Sequence, residues 1–132
     1  GTLHTNNATK TVERIIDIFP QEQQNQVRMQ LADSIRAIVA QRLVPMASGE
    51  GRVAALEILV GVHAVKNLIR ERKTHQLYSI ISTQRDLGMV TLDQYLIDLY
   101  KDEKITLQSA MDLFEYPKEA VMKMQKLGLQ VE

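Results

Sequence analysis

The sequence contains no cysteine. That excludes disulfides and any thiolate zinc site within these residues, and it fits a reducing compartment. Net charge is also missing: sixteen basic and sixteen acidic residues cancel, and the isoelectric point is near 7.0. No global field therefore draws nucleic acid or anionic lipid to the chain. Long apolar runs are absent as well. The longest, "VAALEILVGV", is interrupted by Glu57 and is far short of the roughly 20 residues of a membrane span. There is no internal repeat, no low-complexity tract and no leader-like start. The usual signatures of chemistry are missing too. His4, His63 and His75 lack metal-ligand spacing. No nucleophile-elbow pattern occurs, and no glycine-rich loop is present to cradle a triphosphate. These absences leave an ordinary globular composition, 45% hydrophobic over 132 residues, enough for about one domain or two small pieces.

The first half reads as mixed α/β. Gly1-Thr2-Leu3 reads as the tail of a strand already under way, which predicts a chain cut within or at the edge of a larger domain. Ala8, Val12, Ile15, Ile16 and Phe19 follow at near-helical spacing, with Asn6 or Asn7 available as a cap. Pro20 ends or restarts that helix. Val27, Leu31 and Ile35 predict a second helix over 21–35. The period then changes. "RAIVAQRLVPM" and "RVAALEILV" are β-branched-rich runs separated by "ASGEG", the pattern of a hairpin. A loop at Ser48–Gly51 would set Arg42 opposite Glu57. Such a pair is read either as a register-fixing ion pair or as a carboxylate poised for chemistry.

The second half reads as five short helices. Stripes run through Ala64, Val65, Leu68 and Ile69; through Leu77, Ile80, Ile81 and Leu87, stopped by Gly88; and through Leu92, Tyr95, Leu96, Leu99 and Tyr100. Thr91 and Gln94 form a capping box for the third of these. Thr106 caps a helix with Leu107, Ala110, Met111 and Phe114 inward. Pro117 and Gly128 bracket the last, which carries Ala120, Val121, Met124 and Leu127. The division expected is therefore 1–61, the end of an α/β core, and 62–132, a helical bundle.

Two features invite a functional reading. His4 stands where a strand ends and a helix begins, the place where ligands collect in open α/β sheets. An imidazole there could bond a phosphate, or be a loop histidine satisfied by backbone. "AVKNLIRE", Ala64–Glu71, has an apolar stripe and an outer face bearing Lys66, Asn67, Arg70 and Glu71. That face reads as a solvated surface or as a docking surface.

These stretches coincide with one family. "GTLHTNNATKTVERIIDIFP" resembles the His box and following helix of secretion ATPases. "GRVAALEILVGVHAVKNLIRERKTHQL" resembles the PilT-like retraction ATPases of type IV pili. Within it, "AVKNLIRE" resembles that family's AIRNLIRE motif, with Val65 in place of Ile and Lys66 in place of Arg. "LGMVTLDQYLIDLY" resembles a later family stretch, with Val90 where Gln is common. The likeness runs to about Tyr116.

The resemblance implies a hexameric ring ATPase with its Walker A, Asp-box and Walker B segments upstream of Gly1. This chain would be the C-terminal edge of its RecA-like P-loop core, followed by an α-helical bundle. His4 would sense the γ-phosphate, with Thr5 and Asn6 completing the box. Ala64, Val65, Lys66, Asn67, Leu68, Ile69, Arg70 and Glu71 would form the helix required for retraction. ATP and Mg²⁺ would be used by the intact protein, and this chain would be inactive alone. The expected setting is the cytoplasm, against the inner-membrane pilus machinery. The lack of a four-cysteine zinc motif favours retraction over the related extension ATPases. The competing reading is a helical interaction or regulatory module without catalysis.

Overall fold

The computed structural model describes all 132 residues. In chain order the elements are α1 (Ala8–Asp17), α2 (Gln21–Ser34), β1 (Ala37–Pro45), β2 (Arg52–Val60), α3 (His63–Arg70), α4 (Leu77–Thr83), α5 (Leu92–Lys101), α6 (Leu107–Leu113) and α7 (Pro117–Lys126). Short 3-10 turns at Thr74–Gln76 and Arg85–Leu87 flank α4. The expected single helix over 75–87 is thus broken. The Thr83 hydroxyl bonds back to the Ser79 and Ile80 carbonyls, a contact that competes with the helix ladder. Gln84 leaves helical dihedrals, and Gly88 then turns the chain at φ 90°. Gly1–Leu3 lies outside both strands, because a strand needs a hydrogen-bonded neighbour and none pairs with it.

The two strands form an antiparallel hairpin. Its turn is Ala47–Glu50, closed by the Met46 amide donating to the Gly51 carbonyl at 3.1 Å. The strand ends match that closure, so Arg42 stands opposite Ala55 and Glu57 opposite Ala40. The expected Arg42–Glu57 opposition is therefore corrected by two residues. The turn begins one residue earlier and ends one earlier than the spacing of "ASGEG" suggested. A two-residue slip keeps every side chain on its own face, so the apolar pattern was blind to it.

The chain divides into two compact units, Gly1–Ala40 with Glu57–Val90, and Gln41–Leu56 with Thr91–Glu132. The division expected from sequence at 61/62 is a linear one, whereas α3 and α4 sit in the first unit. There, Ala8, Val12 and Ile16 of α1 meet Ala32 and Ile35, Leu59, Val65 and Ile69, and Leu77 and Ile81 in one core. Val90 adds a bridge to the free edge of β2 through paired bonds with Ile58. The end of β2 is fixed by close approach. The Gly61 amide donates to the Arg36 carbonyl at 2.8 Å, and a Cβ on Gly61 would stand 2.3 Å from the Ile35 carbonyl oxygen. Only glycine lets the backbones come so near.

In the second unit, Val44 and Ala55 join Leu92, Leu96, Ile97, Leu99, Ile105, Ala110, Phe114, Ala120 and Met124. The Thr91–Gln94 capping box is formed in both directions, and Thr106 accepts from the Ser109 amide. Asp93 is buried, and its carboxylate accepts from the Glu115 and Tyr116 amides at 2.8 and 2.9 Å. It thereby anchors the chain just before Pro117 starts α7. Burial pushes this carboxyl above the ordinary range, while the two amides and Lys123 pull it back.

Two outcomes are expected. Gly61→Ala should cost on the order of 1–3 kcal/mol, as overpacking against backbone does, read as a lower denaturation midpoint with unchanged helix content. For Asp93, a raised folded pKa means that the native state holds the proton more tightly than the unfolded chain. Its contribution is then fullest below the ordinary carboxylate value and falls as pH rises through the raised one. Denaturation of wild type and Asp93→Asn from pH 4 to pH 8 should therefore show the wild-type advantage shrinking toward pH 8. A constant gap would remove this linkage.

Candidate functional site

The His4–Asn6 loop is set by the way α1 begins. Asn7 has extended dihedrals and caps the helix, its side-chain oxygen accepting from the Lys10 amide at 2.8 Å. The Thr11 hydroxyl donates to the Asn7 carbonyl at 2.9 Å. It is also paired with the Thr5 hydroxyl at 2.5 Å, which ties the loop to the first turn. A fourth contact comes from far along the chain. The Glu57 carboxylate accepts from the Ala8 amide at 2.7 Å, and Glu57 is only 2% exposed. Two donors at the start of α1 thus have assigned acceptors, and the carboxylate also complements the positive end of the helix. Within this frame Thr5 is half-buried, while His4 and Asn6 are exposed.

The Ala64–Glu71 segment forms α3 and its C-terminal cap residue. Val65 and Ile69 are buried, and Leu68 packs beside them, while Ala64, expected on the same stripe, is exposed. Its outer face is organised differently from either expectation. Lys66 Nζ donates to the Asp33 carbonyl at 3.1 Å. Arg70 meets the Asp33 carboxylate at 2.6 Å and donates to the Asn67 side chain at 3.0 Å. Two like charges at i, i+4 would repel by a few tenths of a kcal/mol on a bare helix. Here both are turned to the C-terminal end of α2, where orphan carbonyls and the helix dipole favour cations. The exposed remainder is Ala64, Asn67 and Glu71, spaced along one strip of the helix.

The structure thus places the His4–Asn6 loop at the start of α1 and the charged helix against the end of α2, both within the first unit. Arg42, half-buried on β1, belongs to the second. His63 and His75 are exposed, and no three His, Asp or Glu side chains gather as a metal site. Sequence reasoning missed Asp33 as the partner of Lys66 and Arg70, since nothing local marks it. It also missed the Ala8 amide as a partner of Glu57. There a signal existed, because a lone acid amid Ala55 and Leu59 on an inward face requires a buried donor.

No family model matches the chain. It is 44% identical over 117 residues to the type IV pilus retraction ATPase PilT of Pseudomonas aeruginosa, covering 89% of this chain and 34% of that protein. It is 44% identical over 110 residues to a twitching motility protein of Neisseria gonorrhoeae, covering 83% and 29%. A crystal structure of the pilus retraction motor PilT with bound ADP aligns with TM-score 0.78 at 48% identity, over 90% of this chain and 33% of that one. In sequence and fold, this chain is a relative of the pilus retraction ATPases. It spans about a third of the length of the curated relatives it matches. The Legionella pneumophila ATPase DotB shares the fold, with TM-score 0.70 at 22% identity.

Charge reversal checks the α2–α3 contact. Lys66→Glu with Arg70→Glu should set two carboxylates against Asp33, costing on the order of 1 kcal/mol at this half-exposed site. Adding Asp33→Arg should restore the denaturation midpoint. No recovery in the triple variant would show that the pairs contribute nothing.

Proposed function

We propose that this chain is the C-terminal part of a hexameric ATPase that powers type IV pilus retraction and twitching motility. The observation carrying the reading is the 48% identity and matching fold with a retraction motor that binds ADP. In this reading the chain completes the RecA-like core, with Gly1–Ala40 and Glu57–Val90 as its edge, and carries the helical C-terminal region from Thr91 onward. ATP and Mg²⁺ are the reactants of the intact motor. In this reading the phosphate cradle and the Mg²⁺ site belong to segments outside this chain, which alone should be inactive.

What this chain brings is an exposed imidazole on a fixed loop. Phosphoryl transfer depends mainly on positioning and charge stabilisation. His4 acts here as the sensor of the γ-phosphate, its N–H donating to an anionic oxygen, with Thr5 and Asn6 shaping the loop. Loss of that phosphate removes the partner of the imidazole, and the change passes to α1 through the cap. Rigid-body movement then converts a local contact into a stroke. The α3 helix supplies the retraction surface through Ala64, Asn67 and Glu71, directed at a neighbouring domain or at the pilus machinery on the cytoplasmic side of the inner membrane. No helix is long and apolar enough to cross a membrane.

In the intact protein, His4→Ala should lower ATP turnover at least tenfold while leaving the melting temperature within a few degrees. Wild-type turnover in that variant would end the sensor assignment.

A further inference from the structure

We propose that Glu57 is the positioning residue of the His4–Asn6 loop, its buried carboxylate on the Ala8 amide setting where the imidazole stands. The inference rests on the reading of His4 given above.

The position calls for an explanation. Along β2 the inward side chains are Ala55, Glu57 and Leu59, each nearly or fully removed from solvent. An aliphatic side chain would serve packing at the middle position. A carboxylate taken out of water is costly unless hydrogen-bonded, and removing its donors leaves that cost exposed. What the acid does that leucine cannot is accept an amide at the first position of α1, 49 residues away in sequence.

The placement of that amide matters. Ala8 is the first helical residue, and Asn7 before it is the cap. The loop is therefore held from both sides: Thr5 by Thr11, and Ala8 by Glu57. His4 is one residue beyond the first of these ties. Removing the carboxylate frees the start of α1 to shift or fray, and the imidazole moves with it. Misplacement of about 1 Å is enough to cost on the order of a hundredfold in a positioned reaction.

The strand that carries Glu57 is itself fixed. Ile58 is bonded to Val90 on both sides of the peptide, at 2.9 and 3.2 Å. Four residues after Glu57, Gly61 is wedged against the backbone at Ile35. Two residues later α3 begins. The segment 57–63 is thus a short strut from the His box to the helix proposed as the retraction surface. Glu57 is the point where the strut grips the box.

The test uses the intact protein and a cycle of variants: His4→Ala, Glu57→Ala, the double variant and Glu57→Gln. Glu57→Ala should lower kcat at least tenfold with KM for ATP changed less than threefold. Because Glu57 acts through His4, the double variant should be no slower than His4→Ala alone. Glu57→Gln keeps an acceptor for the Ala8 amide and should recover most of the lost turnover. Losses that multiply in the double variant, or full turnover in Glu57→Ala, would overturn the inference while His4 kept its role. Full turnover in His4→Ala would overturn both. Should Glu57→Ala fail to fold, Ala8→Pro takes its place. It deletes the same amide at a helix position that accepts proline, after a residue already extended at φ −152°, and the same tenfold loss or its absence decides.

Discussion

An acid that folds into an apolar face must find donors there, because burial removes the water that would otherwise solvate its charge. Glu57 meets this demand at the first turn of α1, and much of the first unit is arranged around the solution. The strand is fixed by its bridge to Val90 and by the glycine seam at Ile35. The helix is fixed by Asn7 and Glu57 together. The core of Val12, Ile16, Leu59, Val65 and Ile69 fills the space between. The polar contact fixes which way these elements face, and the apolar contacts make the arrangement stable. The frame ties the chain at Thr5 and Ala8, on the loop that carries the exposed His4.

The same economy of long-range polar contacts recurs elsewhere. Asp33 draws Lys66 and Arg70 to the end of α2, turning a like-charge pair into a helix-end contact. Asp93 receives two amides ahead of α7. In each case an acidic side chain completes a backbone or cationic group that belongs to a distant segment. Such contacts are modest when exposed and stringent when buried. The distinction separates Asp33, at a half-open surface, from Glu57 and Asp93.

Local chemistry was legible from residue order. The Thr91 and Thr106 caps, Pro117 at a helix start, and Gly88 and Gly128 at left-handed positions stand where their spacing puts them, whereas the apolar stripes are buried at their centres but leave Phe19, Ala64, Leu87 and Leu127 exposed. The helix through Ala64–Arg70 was also legible from its spacing, as was the start of α1 behind the His4–Asn6 loop from its asparagine cap. What was not legible depends on partners distant in sequence. The hairpin register escaped because a two-residue slip leaves the alternation of side chains unchanged. The break near Thr83 escaped because hydroxyl back-bonding at Ser79 and Ile80 leaves no mark on periodicity. The amide and guanidinium partners of Asp33, Glu57 and Asp93 escaped because they lie 22 to 49 residues away.

The route of the backbone between the two units has a practical consequence. The chain leaves the first after Ala40, returns at Glu57 and leaves again after Val90. Each hairpin strand changes membership near its middle. Trimming from either terminus therefore never isolates one unit whole, and a single protease nick liberates neither. Deletion mapping of this region would report damage shared by both halves where a beads-on-a-string protein would yield separable pieces.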